Sequence, residues 1–231
     1  MRLIDEQYLK TPFYGYRKMT AQLHRMGYEV NHKRVQRLMQ KMGIQAIYPK
    51  PKTTIRSSEH KIYPYLLRGM TITRPFQVWS SDITYVPMPS GFMYLVAVID
   101  WYSRYVISWQ LSNTLDGRFC LDTLQQALLT GIPDLFNTDQ GVQFTASAYT
   151  SCLEQAEIRI SMDGHGRALD NIFIERLWRT VKYEDLYIRE YSTVQALADG
   201  LEAYFRFYNR ERLHQKLDYR TPAEVHFAAR G

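Results

Sequence analysis

Val78-Trp79-Ser80-Ser81-Asp82-Ile83-Thr84-Tyr85 places an acid in the middle of what reads as a β-strand running from Gln77 to Val86. Aspartate is depleted in strands, and this one alternates onto the face of Val78 and Val86. An acid there is awkward unless it has a task. The neighbouring segments supply a sheet for it. Pro87–Gly91 reads as a turn, and Phe92–Asp100 (FMYLVAVID) is a nearly continuous apolar run, as expected of a strand buried on both faces. A third strand is predicted from Arg104 to Leu111, and Asp116 caps a helix reaching Leu129. A short strand near Leu135–Asn137, a helix near 146–156, a strand at Ile158–Met162 and a polar loop at Asp163–Asp170 follow. Ile172–Leu186 and Val194–Tyr208 read as helices, and Thr221-Pro222-Ala223-Glu224 combines cap, first-turn proline and capping box before a last short helix. Three hairpin-like strands followed by alternating helix and strand predict a mixed α/β sheet flanked by helices.

The residues before this body have another character. In 1–48, Met19, Leu23 and Met26 recur at helical spacing near 17–26, with Gly27 as the stop. Asn31 caps a helix near 32–42 with an apolar stripe of Val35, Leu38, Met39 and Met42, and Lys33, Arg34, Arg37 and Lys41 on its other faces. Short helices ending in a basic one resemble a helix-turn-helix whose last helix enters the major groove, with an ordinary solvated face as the alternative. Residues 49–75 read as a basic linker punctuated by Pro49, Pro51, Pro64 and Pro75, with Tyr63, Tyr65 and Leu66 available to pack on a neighbour. The remaining body is then 76–231.

Charge follows the same division. Residues 1–75 hold 15 Lys/Arg against 4 Asp/Glu, whereas 76–231 hold 14 against 19. A basic arm on an acidic body nominates a polyanion such as nucleic acid without proving it. With 45% apolar and 14% aromatic residues in 231, wholesale disorder is excluded as an expectation. Cys120 and Cys152 lack metal-ligand spacing and suit a reducing cytoplasm. Neither a signal peptide nor an apolar run of the ~20 residues needed for a membrane span is found. The expected location is therefore cytoplasmic and nucleoid-associated, with no membrane partner.

Two further acids join Asp82. Asp139 lies at the carboxyl end of a short strand, where open α/β sheets place ligands, and Glu175 lies on a helix that also bears Arg176, Arg179 and Lys182. Hard oxygen ligands from two strands and a helix suit a pair of Mg²⁺ or Mn²⁺ ions, which ~3.5–4 Å apart would clamp the attacking and leaving oxygens of an in-line displacement at phosphorus. Taken singly, each acid is more often bland than catalytic. Asp170 and Asn171 read as a helix cap. His165 is a loop histidine that touches DNA or metal-bound water, or has no role.

The spacing changes the weighing. Fifty-six residues separate Asp82 from Asp139 and 35 separate Asp139 from Glu175. This resembles the D,D(35)E pattern of retroviral integrases and bacterial insertion-sequence transposases. Trp79-Ser80-Ser81-Asp82-Ile83-Thr84-Tyr85, Asp139-Gln140-Gly141, Asp170-Asn171 before Glu175, and Lys182 seven residues after it resemble the bacterial branch more closely. So do the tail Tyr208-Asn209-x-x-Arg212-x-His214 and the following Tyr219-Arg220-Thr221-Pro222. Asp218 departs from the pattern, where the family more usually has glycine.

The resemblance covers nearly the whole chain. It implies a ribonuclease-H-like fold preceded by a helix-turn-helix-like module, and a divalent-metal site formed by Asp82, Asp139 and Glu175. The implied reaction is cleavage and 3′-end joining of element ends to target DNA. DNA contacts are expected from Lys182, Arg179, Lys33, Arg34 and Arg37, and from Arg212 and His214, for which packing of the tail is the alternative. A homo-oligomer is implied, since two ends must be joined. Members of this branch commonly use an upstream-frame helper. This chain begins close to its helix-turn-helix-like region, which leaves open whether it transposes alone. Two other readings remain open at this point: a ribonuclease-H-like nuclease that hydrolyses without joining, and a domesticated DNA-binding regulator.

Overall fold

The alternation around Asp82 is realised as an 11-residue strand, β1 (Val78–Met88), at the centre of a five-stranded sheet. The computed structural model describes residues 1–46, 61–89, 91–163 and 171–228. Within it β1 runs antiparallel to β2 (Gly91–Asp100), and β2 antiparallel to β3 (Val106–Ser112). On its other side β1 pairs in parallel with β4 (Leu135–Thr138), which pairs in parallel with β5 (Arg159–Met162). The order is β3-β2-β1-β4-β5. β3 starts later than expected because Arg104, at φ 63°, still belongs to the turn.

Alternation sorts the strand residues onto two cores. Val78, Val86, Leu95, Ala97 and Ile99 face α7 (Ile172–Val181) and α9 (Val194–Arg210). Trp79, Val96, Val98, Phe136 and Ile160 face α4 (Gly117–Leu128) and α6 (Ser147–Gln155), with the one-turn α5 (Val142–Thr145) between. β2 is buried from Leu95 to Asp100, which accounts for its unbroken apolar run. Asp116 caps α4 by accepting from Arg118 N–H, and Thr221 with Glu224 completes the capping box of α10 (Pro222–Phe227).

Two expectations are revised by packing, and a tail residue takes a structural role. The helix expected over 172–186 is regular only to Val181 and continues as a π turn, Lys182–Leu186, before the three-residue α8 (Tyr187–Arg189). Residues 61–75, read as linker, are built into the catalytic body. Leu67 is buried, Tyr65, Met70 and Ile72 pack on one core and Tyr63 on the other. Lys61 and Tyr63 also bond Glu154, and Arg74 pairs with Asp134. The rest of that stretch, with Pro49 and Pro51, lies outside the described residues. Finally, the tail residue Asn209 serves the sheet. Its amide accepts from Val106 N–H and donates to Val106 C=O, both at 2.9 Å, as a paired strand would on the open edge of β3.

The chain divides into two compact units, Met1–Ile55 and Arg56–Gly231. In the first, α1 (Arg2–Lys10), α2 (Tyr16–Arg25) and α3 (His32–Lys41) bury Ile4, Met19, Leu23, Val35 and Met39. Gly27, at φ 87°, makes the left-handed turn after α2, and Asn31 caps α3 through Lys33 N–H. Lys33, Arg34 and Arg37 are exposed, and none pairs with a described acid.

Candidate active site

Sheet register brings the first two acids together. Ser80 pairs with Asn137 in the parallel β1–β4 ladder, and Asp82 and Asp139 each lie two residues further on. α7 then lies on the same face of β1 as Asp82. Trp178 Nε1 donates to Asp82 Oδ2 at 3.0 Å, and Glu175 stands three residues earlier, one turn along the helix.

The three carboxylates differ in setting. Asp82 is half-buried, whereas Asp139 and Glu175 are exposed. The Asp82 carboxyl is pushed up from 3.8 to about 6, first by burial and then by the negative charges of Asp139 and, more weakly, Glu175. Hydrogen bonds from Ile83 N–H and Trp178 oppose the rise without cancelling it. Asp139 accepts from Gly141 N–H at 2.9 Å, a turn that holds its carboxylate over the backbone. A Cβ at Gly141 would sit 2.8 Å from Asp139 Oδ1, so a side chain there would displace the Asp139 carboxylate from this position. Gln140 donates to the Asp163 carbonyl and Asn137 to the Asp163 carboxylate, both at 2.8 Å, tying the ends of β4 and β5 together. Among the described residues no three His, Cys, Asp or Glu side chains are drawn tightly enough to hold an ion as they stand. The acids share one field without yet forming a closed cage.

Other expected residues fall into place unevenly. Arg179 is exposed with its guanidinium 5.9 Å from the Tyr183 ring centre, and Lys182 is half-buried at the start of the π turn. Neither forms an ion pair with a described residue. Arg212 and His214 are engaged inside the protein. Arg212 forks onto Glu184 through Nε at 2.7 Å and Nη2 at 2.6 Å, with its Nη1 3.0 Å from His214 Nε2. Burial and the cations Arg212 and Arg104 hold the His214 imidazole down at about 4, so it is neutral at physiological pH. That geometry supports the tail-packing alternative for both residues. Asn171 occupies the N-cap position of α7, but its side chain makes no capping bond. Its Oδ1 is buried with no partner among the described residues. His165 and Asp170 lie outside the described residues. Cys120 is a buried core thiol raised to about 12 by burial.

Comparison with known proteins gives the family. An integrase core domain family matches residues 72–168, a second integrase core domain family matches 156–222, and an HTH-like domain matches 1–52. The putative transposase InsK for insertion sequence element IS150 of Escherichia coli (strain K12) is 35% identical over 216 residues, covering 91% of this chain and 76% of that protein. The transposase for insertion sequence element IS904 of Lactococcus lactis subsp. lactis is 31% identical over 227 residues, covering 91% of this chain and 86% of its own. Among solved structures, the HTLV-2 integrase catalytic core domain, in complex with magnesium, superposes with a TM-score of 0.54 at 18% identity, covering 66% of this chain and 97% of that one. That likeness gives the ribonuclease-H-like fold. No helix among the described residues is long and apolar enough to cross a membrane. Fold, family matches and relatives agree: the chain belongs to the insertion-sequence transposases with an integrase core, proteins of DNA transposition and integration.

Proposed function

We propose that this protein cleaves insertion-sequence ends and joins their 3′-hydroxyls to target DNA, with Asp82, Asp139 and Glu175 as ligands of divalent metal. The observation that carries the reading is geometric: the β1–β4 register sets Asp82 beside Asp139, and Trp178 of the Glu175 helix bonds Asp82, whose carboxyl is raised to about 6 by burial and by the two other acids. Such a charge is expensive alone and is relieved by a cation among the three. The donor set fits the cation: all three ligands are hard carboxylate oxygens, suited to Mg²⁺ or Mn²⁺. Bound there as a pair, these ions would activate the attacking hydroxyl and stabilise the departing 3′-oxygen.

The chain's own groups set the geometry. Trp178 fixes the rotamer of Asp82, and Gly141 N–H fixes that of Asp139. Arg179 and Lys182, on the helix of Glu175, meet phosphates entering the site. Lys33, Arg34 and Arg37 bind duplex DNA through α3. Joining two ends requires at least two copies of the chain in the active complex, with an upstream-frame helper as a further partner.

The test incubates the protein and Mn²⁺ with a labelled candidate element end. The expected result is a nick at the 3′ end and a joined product, both abolished by EDTA. Nicking without joining would favour the hydrolytic nuclease. DNA binding without metal-dependent cleavage would favour the regulator.

A further inference from the structure

The helix that carries Glu175 and Lys182 changes its winding at Lys182. π turns are rare and locally unfavourable, and they persist where neighbours hold them, often beside functional sites. Here both acids inside the turn are gripped. Glu184 receives the forked Arg212 and the Tyr204 hydroxyl, the latter at 3.0 Å. Asp185, with its side chain 1% exposed, receives Arg189 Nε and the Tyr191 hydroxyl, each at 2.9 Å. Two of these partners, Tyr204 and Arg212, come from α9 and the segment just after it.

Gly200 explains how Tyr191 reaches Asp185. It lies inside α9, where glycine weakens a helix. A Cβ there would stand 2.0 Å from the Tyr191 hydroxyl oxygen and 2.2 Å from the ring carbon bearing it. The glycine therefore clears the space in which Tyr191 crosses α9 to bond the π turn. Lys182, at the head of that turn, has no ion-pair partner among the described residues.

We propose that Glu184 and Asp185, held by Tyr204, Arg212 and Tyr191 over Gly200, are positioning residues that fix the π turn and so aim Lys182 at DNA. They touch no substrate themselves and act through Lys182. The inference rests on the joining reaction proposed above. An ordinary structural clasp would make the same bonds, but it would not couple to Lys182.

The experiment measures the joining rate at saturating pre-cleaved element end for the full chain, with Tm and non-specific DNA affinity alongside. Tyr191→Phe removes only the hydroxyl, and Gly200→Ala displaces it while strengthening the intrinsic helix preference of α9. Each should slow joining about tenfold or more per folded molecule, and the double variant should be no slower than the worse single one. In a Lys182→Ala background both should have little further effect, because the aimed group is gone. Wild-type joining in Tyr191→Phe and Gly200→Ala, or full additivity with Lys182→Ala, would overturn the positioning role. A wild-type chain that joins nothing would instead overturn the joining reaction itself.

Discussion

Asp82→Asn should stabilise the protein while abolishing its chemistry. In metal-free buffer the Asp82 carboxyl is pushed from 3.8 to about 6 by burial and by Asp139 and Glu175. Between those values it is protonated in the folded chain and ionised in the unfolded one. The unfolded state therefore binds fewer protons, and stability falls as pH rises through the window. At ~1.4 kcal/mol for each tenfold change in proton affinity, the full cost above pH 6 is about 3 kcal/mol. Asparagine carries no charge to desolvate or repel, and its amide oxygen still accepts from Trp178. In EDTA the variant should match wild type near pH 4 and exceed it by up to about 3 kcal/mol at pH 7.5, or roughly 6–12 °C in Tm for a domain of this size. Urea melts of both proteins from pH 4 to 8 read the difference, in which titrations not coupled to Asp82 cancel. Saturating Mg²⁺ should then close the gap by stabilising wild type alone, about 2.7 kcal/mol at a hundredfold excess over Kd. A variant no more stable than wild type at pH 7.5, or a gap that does not change with pH, would refute the argument.

Gly141→Ala forces the Asp139 carboxylate off its backbone bond, and single-turnover joining should fall about tenfold or more, as ångström displacements at reacting centres do, with Tm little changed. Asn209→Ala strands the buried N–H and C=O of Val106 and should cost about 3 kcal/mol in a urea melt; a loss below about 1 would mean the edge is covered otherwise. Deleting residues 1–46 should weaken duplex binding and flatten its salt dependence by roughly 0.9 in log–log slope for each lost phosphate contact, whereas an unchanged slope would turn α3 away from DNA. Lys182→Ala should impair binding and joining of the element's own end more than non-specific binding, with no loss of thermal stability.

Much of this was legible because it is local or periodic. Strand alternation around Asp82, the glycine stop at Gly27 and the Thr221–Glu224 box depend on residues within a few positions of one another. The three acids were legible as a set only through their spacing and neighbouring words, since nothing in the strand itself says that Ser80 will pair with Asn137. What escaped the sequence depends on distant partners. Asn209 pairs with Val106, 103 residues away, and Arg212 forks onto Glu184, 28 away, so a tail that looked able to grip phosphate is occupied by the protein. The π turn reflects those contacts and leaves no signature in a stripe of apolar residues. Residues 61–75 resembled a linker because prolines and cations hide Tyr63, Tyr65, Leu67, Met70 and Ile72, whose period-two alternation is too short and is broken at Arg68-Gly69. Asp218, where the family more usually has glycine, sits at φ 56°, a left-handed position that glycine takes freely and aspartate tolerates.

The central claim is that Asp82, Asp139 and Glu175 act as one metal site. Electron paramagnetic resonance titration of Mn²⁺ against wild type, Asp82→Asn, Asp139→Asn and Glu175→Gln, with joining assayed on the same samples, tests it most directly. The account predicts that each substitution weakens Mn²⁺ binding at least tenfold and removes joining, while the fold and duplex binding persist. Equal Mn²⁺ binding in all four proteins, or joining retained by any one variant, would contradict it.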